Sequence, residues 1–306
     1  MNRNRMIGGT MKNLMTKVAI AVAGAFAVAT AQAQTTITKT DSTGTLSAQI
    51  RDSGDIYGTS PADGLLGLNW NGTEFVNIDN GSAWYWYKDS SSSYLAQYTT
   101  SPWTTTTTPI SGSSLVVNGG DASGLSFSQT TEIASGNLMT VSVTLHNDGA
   151  ADLSGVYWGV GFDPDQGGSA HNFTRNTIFA QGDGAAVSAY DQLYGTGMAV
   201  TLANTTSAAA YSIQAFVGGD CCSAVDPTSV VGQGVGFNNL ADDSISLAYD
   251  IGTIGVGKAV TFGYSYSFAT PVPEPQTYAM LLAGLGLMGF VVSRRRKNLP
   301  LDGSAA

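Results

Sequence analysis

Between residues 139 and 145 the chain reads Met139-Thr-Val-Ser-Val-Thr-Leu145, an unbroken alternation of apolar and hydroxyl side chains. Successive side chains of a strand point to opposite faces, so this segment can fold only with one face dry and the other wet. The same period of two puts Val156, Trp158, Val160 and Phe162 on one face, and it recurs over 211–217 and 260–268. Between residues 34 and 271 no apolar period of 3.6 residues persists beyond two helical turns. Thr, Ser, Val and Tyr abound, as strands favour. Asp79-Asn80-Gly81, Asn118-Gly119-Gly120 and Asn147-Asp148-Gly149 read as turns between strands. The expected fold class is all-β, an antiparallel β-sandwich of many strands.

Both ends of the chain read as addresses. Cations at Arg3, Arg5, Lys12 and Lys17 precede an apolar run over 18–28, which ends at the small-x-small signature Ala31-Gln32-Ala33. That is a secretory signal peptide over 1–33, for the Sec translocon and signal peptidase, with Gln34 the first mature residue. Met1, Met6 and Met11 all precede the apolar run, and the segment from Met11 is complete in itself. At the other end, Pro273-Glu274-Pro275 leads into an uncharged apolar helix over 278–292, followed by Arg294, Arg295, Arg296 and Lys297. Basic residues stay on the cytoplasmic side, so 298–306 reads as a cytoplasmic tail. The apolar run has 15 residues, short of the roughly 17–25 of a spanning helix, and snorkelling cations recover part of that shortfall.

This order of parts over 272–297 resembles the PEP-CTERM sorting signal of exopolysaccharide-producing Gram-negative bacteria. The resemblance implies an exosortase as partner, cutting near Pro273-Glu274-Pro275. It also implies a precursor anchored in the inner membrane and a product at the cell surface or in the extracellular matrix. The β-sandwich domain is thus expected over 34–271, flanked by a signal-peptide helix and a C-terminal hydrophobic helix. Short motifs such as Gly67-Leu-Asn-Trp-Asn-Gly72, Tyr157-Trp158 with Asp163-Pro164-Asp165, and the stretch from Asp243 to Gly257 are similar to galactose-mutarotase-like "supersandwich" domains. That resemblance implies architecture and carries no catalytic residue over.

Charge excludes one class of partner. Residues 34–272 hold 20 acidic and 5 basic side chains, a net −15 against −9 for the whole chain. Nucleic-acid binding needs clustered Lys and Arg, which this region lacks. Cys221 and Cys222 are adjacent, so a bridge between them would be strained, and an interchain link or free thiols remain open.

Candidate sites are few. Asp163 and Asp165, in Asp163-Pro-Asp-Gln-Gly-Gly168, are spaced like oxygen ligands for Ca²⁺ or like an Asp-Pro turn closing a strand. Asp220, Asp242 and Asp243 would add ligands if the fold brought them near; apart from this Ca²⁺, no cofactor is expected. In Trp84-Tyr85-Trp86-Tyr87, the pair Trp84 and Trp86 shares one strand face, suited to stacking on sugars or to filling a core. Ser and Thr tracts at 90–93 and 104–108 read as a long exposed loop or a mobile sheet edge. Ice-binding faces repeat Thr over several strands, and one five-Thr run does not supply that. His146 and His171 are the only histidines, too few for a zinc site at recognisable spacing. No Gly-x-Ser-x-Gly elbow is present. The functional expectation is an exported, non-enzymatic protein of the cell surface or exopolysaccharide matrix, structural or adhesive in biofilm. A carbohydrate-binding module is the alternative, with a hydrolase or an ice-binding protein further off.

Overall fold

The computed structural model describes residues 34–56, 67–76, 83–88 (backbone), 104–120, 124–167, 173–193, 196–206, 212–218, 227 and 233–270. In chain order the strands are β1 Gln34–Asp41, β2 Gly44–Arg51, β3 Leu68–Trp70, β4 Thr73–Glu74, β5 Ala83–Lys88 and β6 Thr104–Ser111. There follow β7 Ser114–Gly120, β8 Leu125–Ser135, β9 Leu138–Asn147, β10 Leu153–Phe162, β11 Thr174–Ala180 and β12 Ala186–Tyr190. The last are β13 Ala199–Asn204, β14 Ser212–Val217, β15 Asn238–Ala241, β16 Ile245–Ile254 and β17 Ala259–Ala269. They form a nine-stranded sheet ordered β15-β11-β12-β13-β17-β9-β8-β7-β6 and two four-stranded sheets, β14-β16-β10-β5 and β1-β2-β3-β4. Every strand pairing is antiparallel. The expected antiparallel sandwich is the observed fold.

The core lies between the nine-stranded sheet and the β10–β16 pair. From one side come Val156, Trp158, Val160 and Phe162, the face read from the alternation, with Ile245, Leu247 and Tyr249 beside them; all are buried. From the other come Phe127, Val141, Val143, Leu145, Phe262, Tyr264 and Tyr266. Trp158 sits between Phe262 and Phe127, with ring centroids 5.7 and 6.2 Å away, and Tyr249 packs on Phe262 at 4.6 Å. Tilted and edge-on geometries of this kind suit the ring quadrupoles. The β1–β4 sheet joins the core through Trp70 and Phe75, whose rings lie 6.0 and 4.9 Å from that of Phe268. Its β3–β4 turn puts both Asn71 (φ 52°) and Gly72 (φ 85°) in the left-handed region, as a two-residue hairpin with the native twist requires. Next to β2, the buried Arg51 and Asp55 form an ion pair.

One expectation needs correction, and one open alternative is decided. Asn118-Gly119-Gly120 is no turn but the end of β7, paired with β8. Gly119 faces Phe127, and a Cβ there would come within 2.3 Å of the ring, so this glycine makes room for an aromatic neighbour. The Thr tract 104–108 is β6, the outermost strand of the large sheet, which settles the edge reading over the loop. Asp79-Asn80-Gly81, the 90–93 tract, the Cys221–Cys222 pair, the 1–33 signal segment and the 278–292 helix lie outside the described residues. Among the described residues no helix is long and apolar enough to cross a membrane.

Trp158 is fully buried at the centre of the aromatic cluster. Its replacement in Trp158→Ala should cost about 3–5 kcal/mol of folding stability, read as a lowered denaturant midpoint; a loss below about 1 kcal/mol would mean the two sheets do not depend on it.

Candidate functional site

Sheet topology decides which acidic residues meet. Phe162, the last residue of β10, pairs with Ile245, the first of β16, so the segment leaving β10 lies beside the segment entering β16. Carboxylate oxygens of Asp163, Asp165 and Asp242 accordingly lie within 4.8 Å of one another. Asp163 and Asp165 are buried, at 1% and 0% exposure. The loop is held by backbone bonds from Asp165 N–H to the Asp163 carbonyl (3.1 Å) and from Gly167 N–H to the Glu74 carbonyl (2.7 Å). Val76 forms an isolated bridge with Pro164. The strand-closing turn is thus observed, and it also brings the Asp163 and Asp165 carboxylates to a third, that of Asp242. Asp243 accepts a hydrogen bond from Asn239 Nδ2 and is not one of the trio, and Asp220 lies outside the described residues. An all-oxygen set of this kind has the donor chemistry of a hard divalent cation such as Ca²⁺.

The other sequence candidates are less informative. β5 is an edge strand paired with β10, with Trp84 opposite Gly161 and Trp86 opposite Gly159; their side chains lie outside the described residues. Gln34 opens β1, while Ala31, Ala33, His171, Pro273, Glu274, Pro275 and Arg294 to Lys297 lie outside them. His146 Nδ1 lies 2.6 Å from Asp148 Oδ1, and Ser126 Oγ donates to Asp148 Oδ2 at 2.6 Å. That hydrogen bond, with the imidazole beside it, holds the exposed Asp148 carboxyl below its ordinary range. Here the carboxylate is the hub, whereas nucleophile activation needs the serine on the histidine.

A further arrangement escapes sequence reasoning. On the outer face of the nine-stranded sheet, the register aligns polar side chains across strands. One row runs Thr106, Asn118, Ser128, Thr144 and Thr261 over β6, β7, β8, β9 and β17. The next runs Thr108, Val116, Thr130, Ser142 and Gly263 over the same strands. The Thr144 and Thr261 hydroxyls are 2.9 Å apart. Alternate threonines of the five-Thr run, Thr106 and Thr108, thus form one column of an array shared by several strands. Alternation at 139–145 announces a single column, but alignment between columns depends on register, which is fixed by long-range pairing.

Glu74, beside the acidic loop, is 6% exposed. Its Oε1 accepts N–H bonds from Leu68 (2.8 Å), Val76 (3.0 Å) and Phe75 (3.2 Å). Burial outweighs these bonds and pushes its pKa up to about 7 from 4.5. Between those values the folded chain holds a proton that the unfolded chain releases, so stability falls as pH rises through the window. The fall attributable to Glu74 should be on the order of 3 kcal/mol, and Glu74→Gln should flatten it. A melting profile with the same slope in the variant would remove Glu74 as the cause.

A comparison with curated protein sequences gives no match. Among solved structures the chain is similar to a bacterial glucoamylase complexed with acarbose (9% identity, TM-score 0.44, 83% of this chain and 36% of that one). It is also similar to a polysaccharide lyase (13%, 0.34, 63% and 26%) and to the heparan sulfate lyase HepC from Pedobacter heparinus (10%, 0.33, 77% and 32%). The chain spans about a quarter to just over a third of these proteins, and likeness at this level says nothing of activity. Residues 271–297 match the family described as the PEP-CTERM protein-sorting motif, so the chain is an exported protein that carries the sorting signal of exosortase substrates.

Proposed function

We propose that the chain is a non-catalytic protein of the cell surface or exopolysaccharide matrix, structural or adhesive in a biofilm. The sorting motif at 271–297 is the observation that supports this reading. In it, signal peptidase cuts before Gln34 and the 278–292 segment anchors a precursor in the inner membrane. An exosortase then cuts near Pro273-Glu274-Pro275 and releases or transfers the 34–271 domain. The second reading, a carbohydrate-binding module, rests on the aromatic strand with Trp84 and Trp86.

Within either reading, Asp163, Asp165 and Asp242 are proposed to hold a Ca²⁺ that ties the end of β10 to the start of β16. Like charges crowded in a buried place are costly, and a cation drawing oxygens from two loops would relieve their repulsion and cross-link the loops.

Mass spectrometry of the protein from its host's medium and envelope tests the processing: the mature species should begin at Gln34 and end near Pro273 to Pro275. Retention of Arg294 to Lys297 on the envelope-bound species would refute exosortase cleavage. For the cation, EDTA should lower the melting temperature of the wild type and leave Asp165→Asn unmoved, since a ligand bound only by the native state stabilises it. An unchanged wild-type melting temperature would remove the Ca²⁺. Incubation with a broad glycan panel should release no reducing ends, and release would make the chain an enzyme.

A further inference from the structure

We infer that the outer face of the nine-stranded sheet is a binding surface for an uncharged polysaccharide chain, laid across β17, β9, β8 and β7. This deepens the adhesive reading above and rests on it.

The face is shaped as well as patterned. Over the second row lies an open trough of about 410 Å³, lined by Thr130, Thr140, Ser142, Thr206 and Thr261, with Glu132 among them. Its floor is Gly263, where a Cβ would come within 2.8 Å of Thr205 Oγ1 and 3.0 Å of the Val141 carbonyl. The wall is the segment after β13: Thr205 N–H donates to the Gly263 carbonyl, and Gly263 N–H donates to Thr206 Oγ1 (2.9 and 2.6 Å). A second open depression of about 390 Å³ continues on the same face, lined by Asn118, Ser126, Ser128, Thr144 and His146, with Asp148 at its margin. The Thr144–Thr261 hydroxyl pair joins the two. With strands about 4.8 Å apart, the path from β17 to β7 runs about 14 Å.

The chemistry selects the occupant. The two rows hold no charged residue in a domain whose net charge is −15, so an anionic polymer is repelled at long range. Of the carboxylates lining the two depressions, Asp148 is engaged by Ser126 and His146, so a cationic polymer finds Glu132 and no row of partners. Hydroxyls donate and accept at once, which matches the alternating donors and acceptors of a sugar, and Glu132 at the trough supplies a stronger acceptor. The walled trough suits a chain, while a crystal plane such as ice needs a flat array. A protein partner would call for an apolar or aromatic centre, and the rows offer only Val116.

The test is retention of the full-length protein on insoluble neutral glucans, namely microcrystalline cellulose, insoluble β-1,3-glucan and starch granules. Wild type should be held by at least one of them. Thr144→Val/Thr261→Val, which keeps β-branched shape while deleting hydroxyls, should be held about tenfold more weakly at an unchanged melting temperature, the loss of one or two hydrogen bonds. Ser142→Ala, at an exposed position, keeps the test readable if the double variant melts early. No retention of wild type on any of the glucans overturns the inference. So does retention that survives both hydroxyl variants but is lost in Trp84→Ala/Trp86→Ala, which assigns the glycan to the aromatic strand. Slowed ice growth without glucan retention overturns it in favour of ice. The termini found by mass spectrometry are independent of all these outcomes, so a failure here is distinguishable from a failure of the sorting reading.

Discussion

The dry contact between the β10–β16 pair and the nine-stranded sheet is the constraint on which the remaining features depend. Trp158, Phe162 and Tyr249 enter it from one side, and Phe127, Phe262 and Tyr266 from the other. A one-residue slip in any of these strands would move its whole apolar set to water. Burial therefore fixes register, and register fixes what the other faces display. Setting Val143 and Phe262 side by side toward the core necessarily sets Ser142 and Gly263 side by side on the outer face. Neither the hydroxyl rows nor the trough floor needs a separate folding determinant.

The same logic separates what was legible in the sequence from what was not. The dry face of β10 could be read directly, because Val156 to Phe162 alternates with one face wholly apolar. The closeness of Asp163 and Asp165 was legible as local spacing; their meeting with Asp242 was only a conditional, since it needs β10 and β16 to be neighbours across more than eighty residues of chain. Asn118-Gly119-Gly120 misled because glycine serves turns and tight packing alike. Only the presence of Phe127 across the strand pair decides between them, and that neighbour is a matter of register. The Thr run was read alone for the same reason. Its partners Asn118 and Val116 follow by a hairpin, but Ser128, Thr144 and Thr261 come from further strands.

The acidic end of the sandwich shows polar groups recruited by strand ends. Interior strands satisfy their backbone groups in the ladder, whereas the segments leaving β10 and entering β16 must find partners elsewhere. Beside them Glu74 meets the same need for its own strand end, accepting the N–H groups of Leu68, Phe75 and Val76 at one oxygen. The Gly167 N–H reaches back to the Glu74 carbonyl. Side chains of Asp163, Asp165 and Asp242 are brought together as a consequence of these backbone ties, which hold the loop whatever the three carboxylates bind. A ligand there would find its oxygens already gathered, and preorganisation lowers the entropic cost of binding.

The outermost strand of so large a sheet is a place where another chain could add. Among the described residues, β6 has a strand partner on one side only along Thr104–Ser111. Long, flat, apolar edges invite strand addition, and proteins blunt them with proline, polar side chains or cover. Pro109 removes one donor from β6, in the position that strands reserve for their edges. Thr107 is tethered to Asp52 beside β2 by a 3.1 Å hydrogen bond, and the Gly112 carbonyl past the end of β6 accepts the Thr38 N–H of β1. The β1–β4 sheet thus leans on the edge that would otherwise stand open. At the opposite end β15 has only four residues, too few to pair strongly with another chain. With both edges blunted, the hydroxyl-bearing outer face is left as the broad surface on which an uncharged partner can lie.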